Sequence, residues 1–260
     1  MTHILTETDG AVGIITIARR ERFNSLDVET ARDLRKAGIL FARDAKIRAV
    51  VLRGTEGVFC SGADLKDIRD AENYGEAFQQ ILEYIHSTIS EIRRAAKPFI
   101  AAVDGPAAAG GFGVAMCCDV VVASERAWFE WAYAKTGLTG AESATFLLPK
   151  LVGLRRAMDL LFLNPRLDAR QALEWGLVSR VLAVEGFDDA VLAVARQLAE
   201  LPTEAAGIAK DLMNQAAGMD RLDYHLDREL DALARIANGP NFAEGIDAFF
   251  AKRAPRFAER

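Results

Sequence analysis

The chain has 260 residues, of which 51% are hydrophobic and 27% are charged, so it can bury a sizeable core and is not expected to be mainly disordered. Its 32 Lys+Arg and 37 Asp+Glu residues give a formal net charge of −5, which argues against a surface for nucleic acid or an anionic membrane. Three cysteines and three histidines without a CxxC pair argue against a disulfide framework and a metal site. The first residues have neither a basic start nor an apolar run, and we therefore expect a cytoplasmic globular protein.

The first part of the chain predicts strands that alternate with helices. Two β-branched runs flank the turn Asp9-Gly10, which is typical of a β-hairpin. Apolar residues recur every three or four positions between residues 77 and 93, which is typical of a helix with one buried face. This alternation predicts right-handed crossovers in a mostly parallel sheet. The predicted elements are strands near 3–8 and 11–18, a helix from the cap Asp27 to about Asp44, a strand at 48–53 and a helix over roughly 77–93.

Residues 98–124 are apolar enough to suggest a membrane span, but two aspartates and a cluster of glycines interrupt them. A spanning helix needs about 20 predominantly apolar residues. The segment instead predicts a buried strand, a glycine-rich turn, a short buried helix and another buried strand. We therefore expect no contact with a membrane.

The pattern changes after about residue 153, where helical periodicity dominates and only residues 178–184 suggest a strand. We expect an α/β core over residues 1–200 and a helical C-terminal region over residues 201–260. Leucines at positions 222, 226, 230 and 233 form one stripe on a predicted helix. Such a stripe either covers the protein's own core or joins copies of the chain.

Two glycine-containing loops that follow buried strands form the candidate site. They are FCSGADL at 59–65 and DGPAAAGGFG at 104–113. Small residues let a ligand approach the backbone, and helices that start after both loops leave free N–H groups at the strand ends. Two such groups directed at one carbonyl oxygen would form an oxyanion hole, although purely structural turns explain the loops as well. G-x-G-x-x-G and Walker A patterns are missing, which argues against nucleotide binding.

Several motifs, taken together, resemble the enoyl-CoA hydratase/isomerase (crotonase) superfamily over nearly the whole chain. They are RRERFNSLD, FCSGADL, KPFIAAVDGPAAAGGFGVAMCCDVVVAS, LVGLRRAMDLL, ALEWGLVSRV and EGIDAFFAKRAPRF. The resemblance implies an α/β, crotonase-like (ClpP/crotonase) spiral of β-β-α units with a helical C-terminal trimerisation region. It also implies an acyl-CoA substrate, a homotrimer or hexamer, and no cofactor besides the coenzyme A of the thioester itself.

The resemblance assigns the oxyanion hole to the backbone N–H groups of Ala63 and Gly110, which would stabilise a thioester enolate. It also implies a set of residues that contact the substrate. These are Arg22, Ser25, Leu26, Ser61, Asp64, Leu65, Lys66, Tyr133, Phe249 and Lys252, the last two reaching the coenzyme A of a neighbouring subunit. The alternatives are solvated surface positions for Lys66 and Lys252, orientation of the loop for Asp64, and filling of space for Tyr133.

The chain departs from the family where hydratases carry two glutamates. By the resemblance, those positions fall on Gly113 and Tyr133, so efficient hydration by the usual pair is not expected. Residues 133–153 are closer to 4-chlorobenzoyl-CoA dehalogenase and ring-epoxide isomerases, whose loop aspartate falls here on Ala141. The dehalogenase histidine falls near Ala77 rather than on His86, which argues against a dehalogenase.

Glu142, one residue after the position of that aspartate, is the leading candidate base. A carboxylate in an apolar pocket has a raised pKa that suits proton transfer. The alternative is that Glu142 caps the helix that follows it. Glu130 is a weaker candidate base, while His86 is expected on the flank of a packed helix and His225 at the surface.

The resemblance implies an enzyme of the hydratase/isomerase type that hydrates an enoyl-CoA or isomerises its double bond. One base that moves a proton between two carbons is enough for isomerisation, whereas hydration also needs an activated water. The alternatives are a catalytically silent acyl-CoA-binding protein, and a thioester hydrolase or C–C lyase on the same scaffold.

Overall fold

A computed structural model describes residues 3–257 of the chain. The strands are β1 (Ile4–Asp9), β2 (Val12–Ile17), β3 (Ala49–Gly54), β4 (Phe99–Val103), β5 (Pro106–Ala108), β6 (Val120–Ser124), β7 (Trp128–Glu130), β8 (Leu167–Asp168) and β9 (Arg180–Leu182). The α-helices are α1 (Val28–Arg43), α2 (Leu65–Arg69), α3 (Tyr74–Arg94), α4 (Gly110–Met116), α5 (Ala144–Val152), α6 (Leu154–Leu163), α7 (Ala169–Glu174), α8 (Phe187–Ala199), α9 (Thr203–Ala216), α10 (Leu222–Ala237) and α11 (Pro240–Phe250). Short 3-10 helices lie at Arg20–Arg22, Tyr133–Thr136 and Met219–Arg221. Between residues 3 and 257, no helix combines the length and the apolar character that crossing a membrane requires.

The larger sheet has the strand order β1-β2-β3-β4-β6-β9, and β1–β2 is its one antiparallel pair. Every residue of β2 and of β4 is buried, as expected for parallel strands that are covered on both faces. The register sets Ile14 opposite Val51 and Val50 opposite Phe99. The predicted mostly parallel sheet is therefore confirmed.

A second, smaller sheet has the order β5-β7-β8, and the sequence analysis does not predict it as a unit. Its strands have two or three residues each, which is too short for a periodic pattern to be recognised. The predicted order for residues 98–124 is confirmed, because β4, a glycine turn, α4 and β6 follow one another, with β5 inside the turn region.

Local capping residues explain where two of the helices begin. The Asp27 side chain accepts a hydrogen bond from the Thr30 amide at 2.7 Å, so α1 begins where the sequence predicts. The Asn73 side chain accepts one from the Glu76 amide at 3.1 Å. Because of that cap, α3 begins at Tyr74, three residues before its apolar periodicity becomes visible.

The leucine stripe of α10 covers the protein's own core. Leu222, Leu226 and Leu233 are 3%, 2% and 1% exposed, and Leu230 packs half-buried against the same cluster. The helix lies against α3, which passes beneath the candidate site. Of the two explanations left open for the stripe, the structure selects packing, so the stripe gives no support to self-association.

Candidate functional site

A cavity of about 400 Å³ lies where the two glycine-containing loops meet. Most of its wall is apolar, and charged side chains also line it. The predicted site residues that line it are Arg22, Ser25, Ser61, Ala63, Asp64, Leu65, Lys66, Gly110, Tyr133, Glu142 and Phe249. The fold therefore brings together residues that lie far apart in the sequence.

The two loops are held together by backbone contacts that leave no room for side chains. The Ala108 amide donates to the Cys60 carbonyl at 3.1 Å, and a Cβ atom on Gly111 would lie only 2.1 Å from that carbonyl oxygen. Gly62 has φ +92°, and a Cβ atom there would lie 2.9 Å from the Gly110 nitrogen. The Ala63 and Gly110 segments therefore lie side by side. Within the described part of the chain, neither of their amides donates a hydrogen bond.

Asp64 fixes the first loop. It is 4% exposed and accepts hydrogen bonds from Arg19 at 2.6 Å, from Arg22 at 2.9 Å and from the Lys66 amide at 3.0 Å. Burial raises the pKa of this carboxyl, but the hydrogen bonds from the two arginines outweigh burial, and the pKa is lower than usual. Asp64 lines the cavity, yet its oxygens are occupied within the protein, which fits the alternative role of orienting the loop.

Two of the predicted substrate contacts do not line the cavity of this chain. Leu26 is 0% exposed, its amide donates to the Gly62 carbonyl at 2.8 Å and its carbonyl accepts from the Asp64 amide at 2.9 Å. Its backbone hydrogen bonds hold the segment before α1 against the first loop, and Leu26 does not line the cavity. Lys252 is exposed and lies outside the cavity wall of this chain, and its contact with the coenzyme A of a neighbouring subunit stays a prediction.

Glu142 lies over the second loop. It is 2% exposed, and the Tyr133 hydroxyl donates a hydrogen bond to its Oε2 at 2.5 Å. A Cβ atom on Gly110 would lie 2.5 Å from Glu142 Oε1, and one on Gly113 would lie 2.3 Å from the Glu142 carbonyl oxygen. The two glycines thus leave the space that Glu142 occupies. Its carboxylate does not cap α5, so the alternative role is wrong.

The surroundings of Glu142 set its protonation near neutrality. The pKa of this carboxyl is raised to about 7, chiefly because the group is buried. The hydrogen bond from Tyr133 lowers the pKa, and the nearby Glu229 carboxylate raises it further. Burial also raises the pKa of Tyr133 well above its usual range, so the tyrosine keeps its proton and acts as a donor. A carboxyl group of this kind can take up a proton and return it at neutral pH.

Comparisons with known proteins agree with this arrangement. The enoyl-CoA hydratase/isomerase family profile matches residues 7–260. The chain belongs to that family. It is 35% identical to 1,2-epoxyphenylacetyl-CoA isomerase of Escherichia coli K12, over 99% of this chain and 98% of the relative. It is 32% identical to 4-chlorobenzoyl coenzyme A dehalogenase-2 of an Arthrobacter species, over 96% and 91% of the two chains.

A solved structure of an enoyl-CoA hydratase from Mycobacterium avium subsp. paratuberculosis K-10 matches with a TM-score of 0.90 and 32% identity, over 100% of both chains. The predicted crotonase-like α/β fold of this family is therefore confirmed, and the helical C-terminal region is present. As a member of the family, the protein is an enzyme that transforms acyl-CoA substrates.

Glu130, the other candidate base in this family member, is engaged in ion pairs. It is 5% exposed, accepts a hydrogen bond from Asn164 at 2.9 Å, and pairs with Lys135 and Arg166. Lys135 belongs to the 3-10 helix that carries Tyr133. The carboxylate of Glu130 therefore stabilises this turn, and its charge is compensated.

Sequence reasoning missed the partners of Glu142 on two helices. His86 is buried in the packed helix α3, and its Nε2 accepts a hydrogen bond from the Glu142 amide at 3.3 Å, a contact that the sequence does not predict. Burial lowers the pKa of His86 to about 4, so it is neutral. His225, expected at the surface, is half-buried, with its Nε2 2.8 Å from the Thr145 hydroxyl. Of these residues, only Glu229 could have been singled out from the sequence. It follows His225 by four positions and interrupts the apolar face of a predicted helix.

Proposed function

We propose that this enzyme isomerises the double bond of an enoyl-CoA, with Glu142 moving one proton between two carbons of the acyl chain. The position of the carboxylate carries the proposal. Its Oε2 is held by Tyr133, whereas its Oε1 lies over Gly110 and has no hydrogen-bond partner among the described residues. A base with a pKa of about 7 is thus open toward the place where the thioester would bind.

The reaction would begin when Glu142 removes a proton from the carbon next to the thioester of a 3-enoyl-CoA. The electron pair then moves onto the thioester oxygen and gives a dienolate. Hydrogen bonds from the Ala63 and Gly110 amides would stabilise this charge more than that of the ground state. Glu142 returns the same proton to the γ carbon, which yields the conjugated 2-enoyl-CoA with no change in composition.

Isomerisation fits the site better than hydration does, because among the described residues that line the cavity Glu142 is the one buried carboxylate free to exchange protons, whereas Glu21 is exposed. Asp64 and Glu130 are occupied by arginine, lysine and asparagine side chains. By the family resemblance, the positions of the two usual glutamates hold Gly113 and Tyr133. The backbone carbonyl and Cβ atom of Glu142 occupy the space above Gly113 and its carboxylate lies over Gly110, which supports its use as the replacement base. Hydration is the second candidate, favoured by the hydratase named among the solved structures.

The cavity wall supports an apolar acyl group attached to coenzyme A. Phe78, Leu138 and Leu233 line it, and so do Arg22 and Lys66. Cationic side chains suit the phosphates of coenzyme A, and an apolar wall suits a hydrocarbon chain or ring. Coenzyme A would enter as part of the substrate, and no further cofactor is expected.

Assembly into a homotrimer or hexamer remains a prediction. It is supported by exposed apolar side chains on one face of α6, where Leu154, Met158 and Phe162 are 62%, 41% and 75% exposed. Contiguous exposed apolar residues of this kind commonly mark contacts between proteins. A cytoplasmic location likewise remains a prediction.

The Glu142→Gln variant tests the proposed reaction. Purified protein is incubated with 3-enoyl-CoA and 2-enoyl-CoA thioesters, and products are followed by mass spectrometry and by absorbance of the conjugated thioester. We expect wild-type turnover without a change in mass, and a loss of about 10²–10⁴-fold in kcat in the variant, because a positioned base contributes that much. Glu125→Gln, at an exposed carboxylate outside the cavity, is the matched control and should keep full activity.

Other products would contradict the proposal in recognisable ways. A gain of one water would show hydration, free coenzyme A would show a thioester hydrolase, and a shorter acyl product would show a C–C lyase. Binding of the thioesters without turnover would show a silent acyl-CoA-binding protein. Full turnover by Glu142→Gln would exclude Glu142 as the base.

A further inference from the structure

The turn that carries Glu142 has an unfavourable backbone conformation. Glu142 and Ser143 are consecutive non-glycine residues with φ values of 53° and 64°. L-amino acids rarely adopt this left-handed region, and two in succession persist only when the surrounding structure holds them. Contacts outside the turn must therefore determine where the Glu142 carboxylate points.

Glu229 of α10 supplies most of these contacts, although it lies 86 residues from Ser143. Its Oε2 accepts a hydrogen bond from the Ser143 amide at 2.8 Å. Its Oε1 accepts one from the Thr145 amide at 2.9 Å and a short one from the Thr145 hydroxyl. The Ser143 side chain makes no cap of its own, so Glu229 satisfies the first amides of α5 in its place.

The remaining amides of the turn are also satisfied. The Glu142 amide donates to His86 Nε2 at 3.3 Å, and the Ala144 amide donates to the Ala141 carbonyl at 3.0 Å. Glu229 is only 4% exposed, and a carboxylate that is buried without hydrogen bonds would destabilise the fold. Its carboxylate does not line the cavity.

We propose that Glu229 is a positioning residue for Glu142, because its carboxylate holds the left-handed turn that directs Glu142 Oε1 toward Gly110. This inference rests on the proposed role of Glu142 as the base. It adds a buried side chain of α10 to the machinery of a site whose wall already includes Leu233 and Phe249 of the C-terminal region.

The charge of Glu229 also acts on Glu142. The pKa of Glu142 is raised first by burial, is lowered by Tyr133, and is raised further by the Glu229 carboxylate. The pKa values of His86 and His225 are both lowered, chiefly by burial, so neither imidazole neutralises Glu229 at pH 7. The other titratable or charged groups near the pair are Tyr133 on the 3-10 helix, Cys60 on the first loop, and Lys150 and Arg228 beside His225.

Two substitutions at Glu229 separate the effect of its charge from the effect of its side-chain length. Glu229→Gln keeps the length and removes the charge, whereas Glu229→Asp keeps the charge and shortens the side chain. We expect kcat to fall about 10²-fold in both, with a smaller change in KM, because a base displaced by about 1 Å costs that much. Only in Glu229→Gln should the acid limb of the kcat/KM profile move to lower pH, since loss of a neighbouring negative charge favours ionised Glu142. Asp223→Asn, on the same helix but away from the cavity, is the control and should change neither.

Carboxyl NMR of ¹³C-labelled glutamate gives a readout that does not need turnover. The Glu142 signal, assigned by its loss in Glu142→Gln, should titrate near pH 7 in the wild type and at lower pH in Glu229→Gln. An unchanged titration midpoint and an unchanged kcat in folded Glu229→Gln would overturn the inference. If Glu229→Gln does not fold, Thr145→Val removes the hydroxyl contacts to Glu229 and His225 and keeps the amide contact to Glu229. It should lower kcat, and an unchanged kcat would overturn the inference.

The outcomes for the two glutamates are distinguishable. Full turnover by Glu142→Gln would overturn the proposed function. A collapse of turnover in Glu142→Gln together with wild-type behaviour of Glu229→Gln would leave the proposed function standing and overturn only the positioning role.

Discussion

Gly113 provides a direct test of whether the space above α4 is reserved for Glu142. A Cβ atom there would lie 2.3 Å from the Glu142 carbonyl oxygen and 2.8 Å from the Glu142 Cβ atom, so backbone would have to move. Gly38 in α1 is the matched control, because its Cβ atom would lie 3.4 Å from a methyl group of Thr88, an ordinary contact. Both glycines are buried inside helices.

The magnitude follows from two opposing effects. Alanine is favoured over glycine inside a helix by about 1 kcal/mol at either position. At Gly113 the overpacking against Glu142 costs about 1–3 kcal/mol, whereas Gly38 has no such cost. The helix propensity cancels in the comparison, so Gly113→Ala should be about 1–3 kcal/mol less stable than Gly38→Ala. Because the displaced atoms belong to Glu142, kcat should also fall, by up to about 10²-fold.

Urea unfolding followed by tryptophan fluorescence measures this difference. Both variants are compared at one protein concentration, and the dependence of the free energy of unfolding on urea should stay the same. Steady-state turnover of an enoyl-CoA gives the effect on kcat. Equal stability and equal kcat in the two variants would refute the argument that Gly113 makes room for Glu142.

Two further predictions concern ionisable groups. Tyr133→Phe removes the hydrogen-bond donor that stabilises the Glu142 carboxylate, so the pKa of Glu142 should rise above about 7. The acid limb of the kcat/KM profile should then move to higher pH. A profile that does not move would contradict this prediction. Asp64→Asn should lower the free energy of unfolding at pH 7 by at most about 3 kcal/mol, because Asp27 still pairs with Arg19. The pKa of Asp64 is lowered in the folded protein, so its contribution is present above the unfolded pKa of about 3.9 and is lost as the pH falls below that value. Urea unfolding at pH 7 and pH 3 should therefore show a deficit that shrinks at acidic pH, and a deficit of constant size would count against the ion pair.

Features set by neighbouring residues could be predicted from the sequence. The Asp9-Gly10 turn, the cap at Asp27 and the buried run around residue 100 each depend on interactions within a few positions, and the hairpin, α1 and β4 lie where the pattern places them. The family motifs likewise predicted the fold, and most of the predicted site residues line the cavity. The second sheet was beyond such reasoning, since its strands are too short to carry a pattern.

Questions that depend on distant contacts were decided only by the tertiary structure. The leucines of α10 fitted a core and an interface equally well, and the packing against α3 chose the core. Glu142 fitted a helix cap and a base, but its carboxylate accepts a hydrogen bond from Tyr133 and none from the first amides of α5, which excludes the cap.

The sequence by itself determined the fold class, the helices and strands of the core, and a candidate base at Glu142. The tertiary structure decided the orientation and the protonation of that base. Its left-handed turn is held by His86, 56 residues earlier, and by Glu229, 86 residues after Ser143. Local periodicity cannot encode such pairs, because their hydrogen bonds and burial exist only once α3, α5 and α10 have packed together.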